Sequence, residues 1–244
     1  MLDGRALKRQ KTLDGVLGEI ICGDALEVMK KLPAGSLDLV MTSPPYNLGD
    51  EMPYAEYVKW QRACLRQMLR LIRDDGAIFY SQIWRVQNGL MQDRREILRG
   101  MPVRQVIIWK RAGGVNFNPG YFLPTYEVIY LIAKPLFVLA PGANGIGDVW
   151  SVTQERRNPH PAPQPALLTD RIVASTSGKT LLDPFAGSGT AAVSALRHGR
   201  DYILIDSAKE YCEMAARRLM GDDWGGYDEF THQESFTTFD GEAW

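Results

Sequence analysis

The sequence predicts an α/β protein built on a mostly parallel, seven-stranded sheet, and three observations carry that expectation. Short apolar runs alternate with longer helical patterns through most of the chain, as βα units require. Runs such as Val106-Ile107-Ile108-Trp109 and Tyr202-Ile203-Leu204-Ile205 are continuously apolar, which suits strands buried on both faces. One run, Thr180-Leu181-Leu182, passes directly into a glycine-rich turn that opens a further helical pattern.

Taken in chain order, the first strand is expected over residues 19–22, followed by a helix over 25–31. The strand 37–42 ends where two adjacent prolines forbid its continuation. A long helix over 54–73 carries Tyr57, Trp60, Leu65, Met68 and Leu69 as its apolar surface. Its Arg62, Arg66, Arg70 and Arg73 recur at helical spacing, which describes a solvated face more readily than a phosphate-binding stripe. A strand over 77–81, a helix over 86–98 and strands over 105–109 and 127–132 come next. The last third reads as a helix over 166–175, a strand over 180–182, a helix over 189–197, a strand over 202–205 and a helix over 209–219. Two segments break the pattern: 111–124, rich in Gly, Asn and Pro with interleaved aromatics, and the Pro/Gly-rich 140–165. Long loops inside a compact domain are usually functional or mobile.

The 244 residues, 45% hydrophobic and 23% charged, suffice for one full α/β domain with a sizeable core. No apolar run approaches the roughly 20 residues of a membrane span, and the N-terminus lacks a signal-peptide core. Cys22, Cys64 and Cys212 are odd in number and far apart, as reduced thiols in a cytosol-like compartment are. His160, His198 and His232 have no metal-ligand spacing, so no metal is expected. The net charge of −1 hides an uneven distribution. Arg5, Lys8, Arg9 and Lys11 make the start basic, whereas no Lys or Arg follows Arg218 and seven acidic residues do. The chain therefore divides into a basic extension (1–17), a domain (18–220) and an acidic, aromatic tail (221–244) that is disordered or docked.

Two short blocks carry the chemistry. The first is Asp183-Pro184-Phe185-Ala186-Gly187-Ser188-Gly189-Thr190. A strand, a glycine-rich turn and a helix opening form the nucleotide-side turn of a Rossmann-like unit, where glycines let a ligand approach the backbone. No Gly-Lys-Ser/Thr follows, which excludes a P-loop. Asp183 at the strand end places a carboxylate beside the ligand and suits a cationic ammonium better than a phosphate. Asp206 closes the next strand, nineteen residues after Gly187, at the spacing of a carboxylate that pairs with ribose hydroxyls. Taken alone, Asp206 reads equally well as a helix cap.

The second block is Thr42-Ser43-Pro44-Pro45-Tyr46-Asn47. Pro44 and Pro45 hold a stiff, extended turn whose carbonyls are free to accept. Ser43 adds a second acceptor beside the Pro44 carbonyl, and Tyr46 supplies a flat face for stacking. Two acceptors and an aromatic wall fit an amino-substituted planar base, although a rigid turn with a core tyrosine would use the same residues.

Together the blocks resemble those of the DNA amino-methyltransferases that make N6-methyladenine or N4-methylcytosine. That family's signatures are Asp/Asn/Ser-Pro-Pro-Tyr/Phe for catalysis and Asp-Pro-Phe-x-Gly-Ser-Gly-Thr for the cofactor. Here the catalytic block precedes the cofactor block, which is the beta-class order, and the resemblance covers about residues 18 to 220. It implies a Rossmann-like methyltransferase fold with permuted motif order and S-adenosylmethionine as cofactor. It assigns Ser43, Pro44, Pro45 and Tyr46 to catalysis and Asp183, Phe185, Gly187, Ser188, Gly189, Thr190 and Asp206 to the cofactor. Cys22-Gly23-Asp24-Ala25-Leu26 resembles a further block whose Asp, here Asp24, approaches the cofactor adenine; a plain helix cap is the alternative. His160-Pro161-Ala162-Pro163-Gln164-Pro165 resembles a segment closing over the methionine end, with Gln164 in place of the usual Lys. Asp148-Val149-Trp150 also looks familial, but a core Trp explains it better.

The resemblance implies double-stranded DNA as substrate, with the target base flipped out to reach the cofactor. Lys110, Arg111, Asn116 and Asn118, leaving a strand on the carboxyl side of the sheet, are the DNA-contacting candidates. Ser-Pro-Pro-Tyr is commoner among the cytosine-N4 enzymes, while the trailing Asn47 is frequent among adenine enzymes, so the lean towards cytosine is slight. Little room lies between Lys134 and His160 for a recognition domain, which makes a homodimer one expected partner; a cognate restriction endonuclease is another. A cytoplasmic protein of bacterial or phage origin is expected. RNA or protein-amide methylation, and a catalytically inactive DNA-binding module, are the competing readings.

Overall fold

The computed structural model describes residues 6–11 (as backbone), 15–87, 89–111, 115–155 and 158–220; the acidic tail lies outside them. Strands β1 (Ala6–Lys11) and β2 (Leu17–Cys22) are followed by α1 (Ala25–Lys31), β3 (Leu37–Thr42), α2 (Tyr54–Leu71) and β4 (Ile72–Gln82). Short strands β5 (Arg85–Gln87) and β6 (Leu90–Gln92) and a 3-10 helix at Arg94–Leu98 lead to β7 (Val103–Lys110) and β8 (Tyr126–Ala133). The remainder is a 3-10 turn at Ala143–Gly145, β9 (Val149–Ser151), α3 (Ala166–Ala174), β10 (Thr180–Asp183), α4 (Thr190–Arg197), β11 (Asp201–Asp206) and α5 (Lys209–Leu219).

Among the described residues nine strands form one sheet, in the order β1-β2-β11-β10-β3-β4-β8-β7-β9. From β2 to β4 every neighbour is parallel, whereas β8 runs antiparallel to both β4 and β7. The seven strands expected from sequence occupy seven contiguous places in it, and β1 and β9 add one edge each. β1 falls in the basic segment at the start, so the backbone of that segment joins the sheet.

Helices cover both faces. Leu39 and Met41 of β3 turn towards α3, α4 and α5, where Leu168, Ile172, Ala191, Ala195 and Ala215 pack. Val40, between them, faces α1 and α2, against Met29, Leu65 and Met68. This alternation is the period-two geometry of a strand buried on both sides. On α2, Tyr57, Gln61, Cys64, Leu65, Met68 and Leu71 are buried. Of the arginine series expected on one long helix, Arg70 donates to the Met29 and Leu32 carbonyls at the end of α1, while Arg73 falls beyond α2 in β4 and pairs with Asp38 and Asp75. Trp150 is buried and donates to the Gly147 carbonyl, a core role.

One element differs in kind. The helix expected over 86–98 is a hairpin, with Val86 opposite Met91 and Gln87 opposite Leu90, followed by a short 3-10 helix. Gly89 has φ +77°, in the left-handed region, and the Asn88-Gly89 pair in the sequence is a strong two-residue hairpin signal. That turn chemistry outweighs the helical spacing of Val86, Leu90, Met91 and Ile97.

Candidate functional site

β3 and β10 lie side by side at the centre of the sheet, Leu39 opposite Leu181 and Val40 opposite Leu182. Both signature blocks leave the carboxyl ends of these strands, so residues far apart in the chain meet. Thr42 Oγ1 donates to Asp183 Oδ1 at 2.9 Å, joining the two motifs directly. A cleft of about 360 Å³, partly open to solvent, is lined by Ser43, His160, Gln164, Asp183, Phe185, Gly187, Ser188 and Thr190.

The glycine-rich turn is shaped by close approach. Gly187 has φ +49°, and a Cβ there would stand 2.9 Å from His160 Nε2. Gly189, the N-cap of α4, has φ +77°, and its Cβ would meet the Cβ of Ala215 at 2.8 Å. No other residue type combines that conformation with that proximity. Asp206 organises the turn from β11, accepting from Gly187 N at 2.9 Å and Ala208 N at 3.0 Å. Ser188 and Thr190 are buried and their hydroxyls receive Arg218 Nη1, at 3.1 and 2.8 Å. Asn158 also donates to Ser188, and the His160 ring packs 4.6 Å from that of Tyr211. The segment from Asn158 to Gln164 thus crosses the turn, with Gln164 bonded to Ser81.

Asp183 is the electrostatic focus. Burial pushes its carboxyl up to about 7, despite hydrogen bonds from Phe185 N and Thr42 that favour the ionised form, and Asp206 pushes it further the same way. A carboxylate so placed is stabilised by an arriving cation. Phe185 is partly buried and takes the edge of Trp60, ring centres 5.5 Å apart. Asp24 is exposed at the end of β2 and caps α1 through Glu27 N at 2.9 Å.

The Ser-Pro-Pro-Tyr turn is held from behind by groups with no local motif. Gln61 donates to the Pro45 carbonyl at 3.2 Å, and the fully buried Arg94 donates to the Tyr46 carbonyl while lying over the Tyr57 ring. Asn47, at φ +52°, clasps Met52 through both ends of its amide. Among the described residues the Pro44 carbonyl receives no protein donor, which leaves it as an acceptor beside Ser43. Ser43 Oγ lies 2.7 Å from Tyr46 Oη, which donates to Glu127 Oε2 at 2.9 Å. Glu127 pairs in turn with Arg111 at 3.1 Å. Burial raises the Glu127 carboxyl above the usual range, against the opposing pull of Arg111 and Tyr46.

The loop after β7 is ordered by its own asparagines. Asn116 donates to the Tyr121 carbonyl and accepts from Asn118 N, and Asn118 accepts from Gly120 N. Lys110 is exposed; Arg111 is drawn inward to Glu127. Phe117 and Phe122 are almost fully exposed on the same loop. The structure brings the sequence candidates Ser43, Tyr46, Asp183 and Asp206 together, and Thr42, which opens the Thr-Ser-Pro-Pro-Tyr-Asn block, links them. Arg94, Gln61 and Glu127, which carry no local signal in the sequence, reach the site by tertiary packing.

Comparison with known proteins agrees with this geometry. A family model described as "DNA methylase", of the N6/N4 type, matches residues 37–138 and 139–217. The Type II methyltransferase M.BglII of Bacillus subtilis is 30% identical over 256 residues, covering 84% of this chain and 70% of that protein. Among solved structures, PvuII DNA methyltransferase (cytosine-N4-specific) superposes with a TM-score of 0.76 at 20% identity, covering 84% of this chain and 87% of its own, a likeness of fold. TTHA0409 of Thermus thermophilus, solved with S-adenosyl-L-methionine, gives 0.64 at 27% identity, covering 81% and 91% respectively. A buried carboxylate that a cation would stabilise, a backbone opened by glycines and a second carboxylate on the adjacent strand are the donor set this cofactor needs. The chain belongs to the N6-adenine/N4-cytosine DNA methylase family and is an S-adenosylmethionine-dependent DNA amino-methyltransferase.

Proposed function

We propose that the chain methylates the exocyclic N4 of a cytosine flipped out of double-stranded DNA. The observation that carries this reading is the Pro44 carbonyl, which takes no protein donor among the described residues, beside Ser43 Oγ, just beyond β3, the strand next to the one that ends at Asp183. An exocyclic amine is a poor nucleophile because its lone pair is delocalised into the ring. Two acceptors on its N–H groups favour a pyramidal nitrogen and stabilise the positive charge that develops there. The sulfonium of bound S-adenosylmethionine supplies the methyl group. The chain's own contribution is placement, for which Asp183 holds the ammonium, Asp206 the ribose, and Phe185 with Asp24 the adenine. Gly187, Ser188, Gly189 and Thr190 shape the backbone on which the cofactor rests. Tyr46 stacks on the flipped base.

Lys110, Asn116 and Asn118 mark the DNA-facing loop in this reading, with Arg111 turned inward to Glu127, and the exposed Phe117 and Phe122 give it apolar projections suited to a disturbed base stack. Because this surface is small against the roughly 1,000–2,500 Å² of specific DNA interfaces, a second copy of the chain completes it. Ser43 at the head of the motif supports cytosine over adenine. The test is incubation with duplex DNA and S-adenosylmethionine, digestion to nucleosides and mass spectrometry. N4-methylcytosine is the expected product; N6-methyladenine would overturn the base, and methylation of RNA alone would overturn the substrate.

A further inference from the structure

The geometry points to Glu127 as the end of a proton relay that starts at the target nitrogen and runs through Ser43 and Tyr46. This rests on the methyl-transfer reading above and adds to it a destination for the proton the reaction must release.

The hydroxyl arithmetic fixes the direction of the chain. Tyr46 has one O–H, and it donates to Glu127 Oε2 at 2.9 Å. The 2.7 Å contact between Tyr46 and Ser43 is therefore made by the Ser43 proton, donated to Tyr46 Oη. Ser43 keeps only lone pairs for the base, which is the state required to accept an amino N–H. Arg111 at 3.1 Å pairs with Glu127 at the far end and favours its ionised form against the burial that raises it, and the Glu127 side chain is only 8% exposed. Arg111 and Tyr46 are the charged and titratable groups that bear on it. A carboxylate is costly to bury, and this one stands at the start of β8, beside the catalytic turn and with a continuous path of hydroxyls to it.

The step balances. As the target nitrogen takes the methyl group, an N–C bond forms, the C–S bond breaks with its electron pair left on sulfur, and the nitrogen becomes cationic with two protons. One proton passes to Ser43 Oγ, the Ser43 proton to Tyr46 Oη, and the Tyr46 proton to Glu127 Oε2. The products are a neutral methylated amine and a protonated Glu127, which afterwards yields its proton to solvent. Glu127 acts through the two hydroxyls and is a positioning and proton-accepting residue; it does not touch the base.

The experiment compares wild type, E127Q and Y46F in single-turnover methylation of duplex DNA across pH, with cofactor affinity measured by calorimetry. In the wild type the rate rises with pH over the range in which Glu127 ionises, above the ordinary carboxylate range. E127Q and Y46F lose that limb and fall on the order of a hundredfold, the usual scale of a lost proton acceptor, with cofactor affinity retained. Carbon-13 NMR of the free protein gives a second readout: removing the Tyr46 donor in Y46F shifts the Glu127 titration upward. Wild-type rate and profile in E127Q, or in Y46F, overturns the relay, as does an unmoved Glu127 titration. Should E127Q not fold, Y46F decides alone, since it keeps the carboxylate and Arg111. A wild type that transfers no methyl to DNA instead overturns the underlying functional reading.

Discussion

Thr42 and Asp183 share a hydrogen bond of 2.9 Å although they stand 141 positions apart, and through it the Ser-Pro-Pro-Tyr turn and the glycine-rich turn are fixed to each other. The bond favours ionised Asp183, yet burial outweighs it and the carboxyl stays near 7. The free protein therefore holds a proton there that the unfolded chain has lost from about pH 4 upward. The contribution of Asp183 to stability is full below that pH and is lost as pH rises through about 7. Asp183→Asn should remove this penalty and raise stability at pH 8 by up to about 4 kcal/mol, while weakening cofactor binding. Urea denaturation at pH 5 and pH 8 checks it; equal stability of the two proteins at pH 8 would refute it.

Cofactor affinity should itself depend on pH. In the proposed function the cofactor ammonium pairs with ionised Asp183, and binding would then expel the proton held below about 7. Affinity is expected to fall by about tenfold per pH unit below that point and to level off above it. Calorimetric titrations from pH 5.5 to 8.5 measure this directly, and a flat profile would remove Asp183 as the ammonium partner.

Gly189→Ala should cost more than Gly199→Ala. Both glycines have positive φ, +77° and +63°, but a Cβ at 189 meets Ala215 at 2.8 Å while one at 199 meets nothing within 4 Å. Strain alone sets roughly 1 kcal/mol at 199, and the clash adds to it at 189, for about 2–4 kcal/mol. Thermal denaturation of the two variants tests the ranking; only Gly189→Ala should also reduce cofactor affinity.

Arg94→Met keeps the volume of a fully buried side chain but withdraws the donor to the Tyr46 carbonyl and the cation over Tyr57. A loss of about 2–4 kcal/mol is expected from the carbonyl and polar network left behind. Turnover should fall further than cofactor affinity, because the group released is the catalytic turn. A variant as stable and active as the wild type would show that Arg94 does not position Tyr46.

Lys110→Ala should weaken DNA binding equally across sequences and lower the salt slope by about one, the behaviour of a phosphate contact. Fluorescence anisotropy over a salt series provides both numbers. An unchanged slope would move the DNA interface away from the β7 loop.

How much was legible in the sequence depended on whether the signal was local. Strands such as β3, β4, β8 and β10 are apolar and buried on both faces, so each declared itself without reference to its neighbours. β7, read the same way, buries Ile107 and Trp109 but leaves Val103 and Val106 exposed. Asp183, Ser43 and Tyr46 sit in short blocks whose residue types are dictated by what they must touch. Arg94 and Glu127 carry no such signature: one rides a 3-10 helix and the other begins β8, and only the sheet order brings both to the turn. Asp24 caps α1 in the structure, the helix-cap reading its sequence allowed. The segment around Gly89 misleads because its apolar spacing is helical while its Asn-Gly turn is not.

The sheet order also dictates when the protein can become itself. β2 and β3 come well before β10 and β11 in the chain, but in the finished sheet β11 and β10 lie between them. Until those two are synthesised, the facing edges of β2 and β3 carry unpaired backbone groups, and neither strand can close on the other without blocking the native slot. The centre of the molecule is thus the final part to be filled, through contacts of large sequence separation that slow folding. A nascent chain halted after β8 would hold the Ser-Pro-Pro-Tyr turn but neither the glycine-rich turn nor Asp206, and it would present two open strand edges.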